Sequence, residues 1–347
     1  MKTVFFASSP SIVRWAYTDV INDKQTEYCE FDLNNGVKKR LYTRKIAKIT
    51  PFFLKKLIYR FLLGYDFLKT IRKNEEVLFI FTCQYNMLSR GIFYDFVKFL
   101  KRRYKKSKLV FYYNDIVETC SPEKLDFIKQ EFDVVLSFDK TEAYKYGIEA
   151  YEEVYSVQDI NKIEEEFKTN SEPSDVFFVG GDRGRFDLII DIFKKLADEN
   201  KKVIFFLFGV LEENVIKLKD LFGYQEGQRL ITYKNSELHI NEYCPYPRTL
   251  SYISKTKCMV EITLSAQTAP TLRLPEATVY HKKIITNCAT ATIKSYYKKE
   301  NILFIENLKK ASGKEMVEFI NSPMVEVDYD FSPLKMVKML QNRLFKR

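Results

Sequence analysis

The sequence predicts an α/β protein of two domains, each a parallel sheet flanked by helices. Three observations predict it. Short apolar runs alternate with amphipathic helical stretches on both sides of residue ~165. The 347 residues are enough for two domains of ordinary size. Between the halves, Ser156–Ser174 is charged and glycine-free and closes on Asn170-Ser171-Glu172-Pro173-Ser174, the composition of a linker. We therefore expect one domain over residues 1–165, a second over 166–330 and a terminal helix within 331–347. No internal repeat with a period of about 20–50 residues is evident.

In the first half, Lys2–Ser8 (KTVFFAS) reads as a strand; its apolar part is too short for the core of a signal peptide. Ser8-Ser9-Pro10-Ser11 leads into an apolar helix carrying Trp15, and Tyr28–Leu33 reads as a second strand. Arg40–Lys73 then holds ten Lys/Arg and one acid, Asp66, interleaved with Ile, Leu and Phe, and Pro51 marks a helix start. Two structures fit it: an interfacial membrane helix, or a core-facing helix with a solvated basic back. Glu76–Tyr85 (EVLFIFTCQY) is a buried strand, and the helix Ser89–Tyr104 ends in KFLKRRYKKSK. Cations in a last turn suit the helix dipole, but seven in Lys98–Lys108 exceed that need. Leu109–Tyr113 is a strand ending at Asn114-Asp115, and Ser121-Pro122-Glu123 opens a helix. Asp133–Phe138 is a strand followed by Asp139 and a short helix ending near Gly147. Asp139 suits a helix cap or a base.

In the second half, DVFFVGG (Asp175–Gly181) starts a new sheet, GGDRGR follows, and Phe186–Glu199 is an amphipathic helix. A strand, a Gly-containing basic loop and a helix can cradle phosphate through backbone N–H groups and Arg; a tight turn with surface arginines fits the pattern too. Lys202–Gly209 and Arg229–Tyr233 read as strands, with helices at Leu211–Phe222 and Arg248–Lys257. Tyr243 and Tyr246, in a Pro-bearing loop, suit stacking on a base or filling the surface. Met259–Thr263 and Lys283–Asn287 are short apolar runs of the buried parallel type. Between them lies the loop Ser265–Thr271, rich in hydroxyls, and then Arg273 and Glu276 on one helix face. A helix opening at the carboxyl edge of a parallel sheet favours anions. An Arg, hydroxyls and a carboxylate there suit a diphosphate and a ribose; an exposed Arg/Glu pair is the plainer alternative. A strand at Ile302–Ile305 and helices at Gly313–Asn321 and Leu334–Phe345 complete the chain.

Composition narrows the classes. Six cysteines without a CxxC indicate reduced, cytosolic usage, and two histidines, His239 and His281, argue against a histidine-built zinc site. No run of eighteen apolar residues occurs. The net charge of +10 is uneven: residues 1–108 carry 23 Lys/Arg against 9 Asp/Glu, and residues 109–347 carry 33 against 37. The first part therefore offers a surface for a polyanion. No helix-turn-helix, RRM or zinc-finger pattern accompanies it, so no nucleic-acid partner is expected.

QTxxTLRxxEA followed by KKIITN resembles the C-terminal domain of GT-B glycosyltransferases of bacterial capsule and lipopolysaccharide biosynthesis. Gln267, Thr268, Thr271, Arg273, Glu276 and Asn287 match, while the family's Gly-Leu is Ala269-Pro270 and Pro275 precedes the Glu. Gly180, Asp182, Arg183, Gly184, Arg185 and Asp187 match the family's V-G-x-D-(R/K)-G-R-x-D, and the strand at Asp133–Phe138 with Asp139 is similar to the end of its first domain. The likeness covers most of residues 133–305 and is thin before 110.

This resemblance implies two Rossmann-like domains with a cleft between them. It implies transfer of a sugar from a nucleotide-sugar donor to a membrane-lipid-linked glycan, with no metal and no cofactor. Gly180, Arg183, Gly184, Arg185, Gln267, Thr268, Thr271, Arg273 and Glu276 would bind the donor. Arg183, Arg185 and Arg273 would neutralise its diphosphate, and Glu276 would hold ribose hydroxyls. An inverting reaction needs a base in the first domain; Asp115, at a strand end, is the first candidate and Asp139 the second. Lys55, Lys56, Arg60, Arg102 and Arg103 would face the acceptor and the anionic inner surface of the cytoplasmic membrane, making the protein cytoplasmic and peripheral. A sugar-nucleotide epimerase on the same fold, or a non-catalytic membrane- or nucleic-acid-binding module, are the alternatives.

Overall fold

The computed structural model describes residues 1–7, 11–30, 49–82, 92–117, 124–225, 227–264 and 267–345. Ser8–Pro10, the basic residues 40–48, Ser121–Glu123 and Ser265, all singled out in the sequence, lie outside the described residues. The chain forms two compact units. One comprises Met1–Val157 with Phe331–Arg347, the other Gln158–Asp330.

In the first unit the order is β1 (Lys2–Ala7), α1 (Ser11–Ala16), α2 (Thr18–Asn22), β2 (Thr26–Glu30), α3 (Phe52–Leu63), α4 (Phe67–Thr70), β3 (Val77–Thr82), α5 (Ile92–Arg103), β4 (Ser107–Tyr113), α6 (Leu125–Glu131), β5 (Val134–Ser137), α7 (Lys140–Tyr146) and β6 (Glu149–Ala150). Among the described residues these strands form one sheet, ordered β2-β1-β3-β4-β5-β6 and parallel at every pairing. Runs such as VLFIFT form its centre because both faces are covered, so each residue must be apolar. The core is aromatic: Phe6 stacks on Phe81 at 4.3 Å between ring centroids and meets Phe67 and Phe96 edge-on.

The second unit runs α8 (Ile160–Phe167), β7 (Ser174–Gly181), α9 (Phe186–Asp198), β8 (Val203–Phe208), α10 (Glu212–Phe222), β9 (Leu230–Tyr233), β10 (Ser236–Ile240), α11 (Tyr246–Lys255), β11 (Thr256–Glu261), α12 (Arg273–Val279), β12 (Lys283–Thr286), β13 (Ile302–Phe304) and α13 (Gly313–Asn321). Its sheet is ordered β13-β12-β11-β7-β8-β10-β9, parallel except for the edge pair β9/β10. β10 escapes a sequence reading because its hairpin turns at Lys234, which takes a left-handed φ of 55° without a glycine.

Two expectations change. Ser156–Ser174 is not a linker throughout, because α8 occupies its middle. Asp159 caps that helix through the Lys162 N–H at 3.3 Å, and Ile163 is buried. Ser251 on α11 donates to Glu164 at 2.5 Å. Its charges are the solvated side of an amphipathic helix, so the first unit ends at Val157 and not near 165. The terminal segment is also not separate. In α14 (Pro333–Phe345), Met336, Val337 and Leu340 are buried in the first unit. There Gln341 donates to Thr3 at 2.8 Å, and the Arg343 guanidinium grips both oxygens of Glu149.

Candidate functional site

In the second sheet the winding reverses between β7 and β11, since β8 and β10 lie to one side and β12 and β13 to the other. Loops leaving the carboxyl ends of two such strands run apart and open a crevice, the usual ligand position in open α/β sheets. A cavity of about 460 Å³ lies there, within the range of small-molecule sites. Arg183, Gly184 and Arg185 line it after β7, Thr263 and Gln267 after β11, and Asn287 after β12, together with Lys309.

Local chemistry fixes the β7 loop. Asp182 is buried; one carboxylate oxygen accepts from Asn214 Nδ2 at 2.7 Å and the other from the Gly184 N–H at 3.1 Å. Arg183 (φ 40°) and Gly184 (φ 78°) both take left-handed backbone, which a glycine adopts without strain. The Arg185 guanidinium then spans the crevice floor, donating to Gly181 O at 2.6 Å on β7 and to Ile262 O just beyond β11. Burial first, and Arg183 second, lower its pKa from the ordinary arginine value. The first turn of α9 has no side-chain cap, so its N–H groups add to the positive potential.

Charge at the cavity is therefore cationic. Arg183 and Lys309 are exposed and make no ion pair among the described residues. Asp187 is the acid at the rim, and Lys217 holds it at 2.6 Å. Lys309 has no place in the sequence patterns. It stands on a short 3-10 turn, Leu308–Lys310, that tertiary packing brings against α9, where Lys195 donates to its carbonyl at 2.6 Å.

Arg183, Gly184, Arg185 and Gln267 thus meet at one cavity; the other donor candidates do not line it. At Gly180 a Cβ would meet the Phe178 ring at 2.7 Å, so this glycine serves packing. The Thr271 N–H and hydroxyl both bind Glu261 at 2.6 Å, and the Thr268 carbonyl accepts from Thr290 and Cys288. Glu276 is 0% exposed: one oxygen accepts from the Tyr246 hydroxyl at 2.6 Å and the other from Arg273. The spacing does pair Arg273 with Glu276, but α12 turns the pair inward, because Leu274, Glu276 and Ala277 share its buried face.

In the first unit, Asp139 is fully buried and caps α7, accepting from the Thr141 and Glu142 N–H groups at 2.9 and 3.1 Å. Capping, not proton abstraction, is the role this geometry gives it. Asp115 is exposed on the bend that leaves the carboxyl end of β4.

The basic face also divides. Lys55 is not a surface cation; it binds Asp95 at 2.5 Å, beside the Tyr59 hydroxyl. Lys56 stays near Arg60 and Arg103, and partial burial followed by these two cations lowers its pKa. Arg102 lies 4.5 Å over the Phe52 ring. Helix α3 faces the core on one side only: Tyr59 enters the core, while Phe53, Leu57 and Phe61, four residues apart, are 75%, 59% and 69% exposed.

No protein-family model and no curated protein sequence matches this chain. Solved structures do. An α-glucosyltransferase in complex with UDP-glucose and DNA containing an abasic site is 13% identical, with 92% of this chain and 90% of that chain covered and a TM-score of 0.56. The UDP-GlcNAc 2-epimerase from Neisseria meningitidis bound to UDP-GlcNAc is 12% identical, with 100% of both chains covered and a TM-score of 0.53. Likeness at this identity shows the fold: two parallel-sheet α/β domains of the GT-B type. No helix among the described residues is long and apolar enough to cross a membrane.

Proposed function

We propose that this GT-B chain is a nucleotide-sugar glycosyltransferase that transfers a sugar to a lipid-linked glycan in capsule, exopolysaccharide or lipopolysaccharide assembly. The observation that carries the donor half is the crevice between β7 and β11, with Arg183, Arg185 and Lys309 beside an uncapped helix end. Arg183 and Lys309 have charge to give to a diphosphate, and Arg185 fixes the floor they stand over. Cations held there stabilise the departing nucleotide as its negative charge develops. In an inverting transfer the acceptor hydroxyl attacks the anomeric carbon, the bond from that carbon to the diphosphate oxygen breaks, and a base takes the hydroxyl proton. Asp115 is our candidate base. Arg273 and Glu276 pair with each other on the inward face of α12, so the donor's charge falls to Arg183 and Lys309.

The acceptor half is supported by α3. An exposed ridge of Phe53, Leu57 and Phe61, with Lys56, Arg60, Arg102 and Arg103 nearby, has the chemistry that settles into an anionic lipid surface. Peripheral attachment at the inner face of the membrane would bring a lipid-linked glycan within reach.

A sugar-nucleotide epimerase is the second reading, favoured by full-length likeness to an enzyme of that kind. It has no use for a lipid-facing ridge. The two solved structures named above hold a UDP-sugar, so UDP heads the test. Thermal unfolding is followed with UDP, GDP, CMP and dTDP, with and without Mg²⁺, on wild type and Arg183→Ala. A nucleotide at a hundred times its dissociation constant adds about 2.7 kcal/mol. We expect one nucleotide to stabilise wild type without metal and the variant much less; no shift with any of them sinks the donor site. Conversion of UDP-GlcNAc to its 2-epimer with no acceptor present would replace transfer by epimerisation.

A further inference from the structure

Glu261 ends β11 and is 2% exposed, yet it does not line the cavity. A carboxylate so far from water is costly unless its lone pairs are used. Three donors use them: the Thr271 N–H and hydroxyl, both at 2.6 Å on one oxygen, and the Thr286 hydroxyl at 2.7 Å on the other. These bonds tie the strand end to the segment opening α12 and to β12, where Thr286 is its register partner. The next two residues reach the cavity directly. Ile262 offers its carbonyl to Arg185, and Thr263 donates its N–H and hydroxyl to Asn287 at 2.8 and 3.1 Å. One buried side chain therefore joins the end of β11 to Thr271, and the described residues beside these two points include Ile262, Thr263 and Gln267, which line the cavity.

We propose that Glu261 is a positioning residue for the anion site: it ties Ile262 and Thr263, which follow it, to Thr271 and Thr286, so that Arg185, Asn287 and Gln267 keep the places a nucleoside diphosphate requires. It makes no contact with that ligand. This rests on reading the cavity as a nucleoside-diphosphate site, and the test separates the two. Glu261→Ala removes every acceptor. Glu261→Gln keeps one acceptor oxygen for Thr271, and its amide can donate to the Thr286 hydroxyl, so the geometry survives without the charge.

Two measurements are made on full-length protein: UDP affinity by calorimetry, and amide hydrogen exchange without ligand. We expect Glu261→Ala to bind UDP at least about tenfold more weakly and to exchange faster over 267–273. Glu261→Gln should stay within about threefold of wild type in both. A folded Glu261→Ala protein with wild-type affinity and wild-type exchange overturns the assignment, and so does Glu261→Gln failing as badly as Ala, because then charge and not position matters. If wild type binds no UDP, the donor reading fails, and exchange over 267–273 alone judges Glu261. If Glu261→Ala does not fold, Thr271→Val, which removes one of the three donors, is measured instead. Unchanged exchange and affinity there overturn the proposal.

Discussion

At the scale of single residues, Arg185 joins two strands and adds charge to the cavity, and substitution can separate these effects. Arg185→Lys keeps a cation but cannot reproduce a planar fork bridging Gly181 O and Ile262 O. Each lost bond from a charged donor costs about 1.5–3 kcal/mol where the acceptor is left unpaired. We expect the Lys variant to be destabilised in urea unfolding and to bind nucleotide at least tenfold more weakly; affinity equal to wild type would remove Arg185 from the site. Titration gives a second residue-scale outcome. Burial raises the Glu261 carboxyl above its ordinary value of 4.5, against the pull of Thr271, Thr286 and Arg273. A raised carboxyl means that folding favours the protonated form. Its stabilising contribution is therefore present below pH 4.5 and is lost as pH rises through the folded value. Wild type should lose stability relative to Glu261→Gln as pH rises from 4 to 7, measured by urea unfolding at each pH. Glu149 runs the other way. Its hydrogen bond to Arg343 holds it below 4.5, so its contribution is present above that value and lost as pH falls through the folded one. Both partners are about half exposed, which keeps the pair near 0–1 kcal/mol.

At the scale of elements, α3 stands out because a helix normally hides its large apolar side chains. Phe52, Ile58 and Tyr59 do pack inward, and Lys55 is neutralised by Asp95 beneath the helix. Phe53 and Leu57 have no such cover at 75% and 59% exposure. Replacing both with Glu should therefore change folding stability by no more than about 0.5 kcal/mol per site. The same double variant should lose binding to vesicles containing phosphatidylglycerol, and wild-type binding should weaken with added salt. Undiminished vesicle binding by the double variant, or no binding by wild type, ends the proposed membrane role of α3. Helix α8 shows the opposite case, an element whose charged sequence hides a packed face. Asp159 starts it, Ile163 anchors it, and Glu164 reaches Ser251 on α11.

At the scale of the whole molecule, each unit has its own sheet and its own core. Units of this kind fold alone when few of their own contacts are lost on excision. The fragment 158–330 should give a cooperative urea transition and retain the nucleotide-induced stabilisation of the full chain; an unfolded fragment would refute its autonomy, and a folded one blind to nucleotide would place part of the site elsewhere. The first unit cannot be cut so simply. It needs α14, since Met336, Val337 and Leu340 fill its core from the far end of the chain. Two parallel α/β halves were legible in the sequence because buried parallel strands must be nearly continuous apolar runs, and VLFIFT and VIFFLF are such runs. Arg183, Gly184, Arg185 and Gln267 were legible as candidates because the two polar loops that carry them resemble those of GT-B glycosyltransferases, while composition alone left a plain surface turn open as well. Tertiary structure alone decided the rest. Sheet order, set by long-range pairing, brought Lys309 and Asn287 to the same crevice. Rotation of α12 against its sheet turned Glu276 inward, and burial made Asp139 a cap and Glu261 an anchor. Spacing along a chain fixes which residues share a face; which face is covered depends on partners that are distant in sequence.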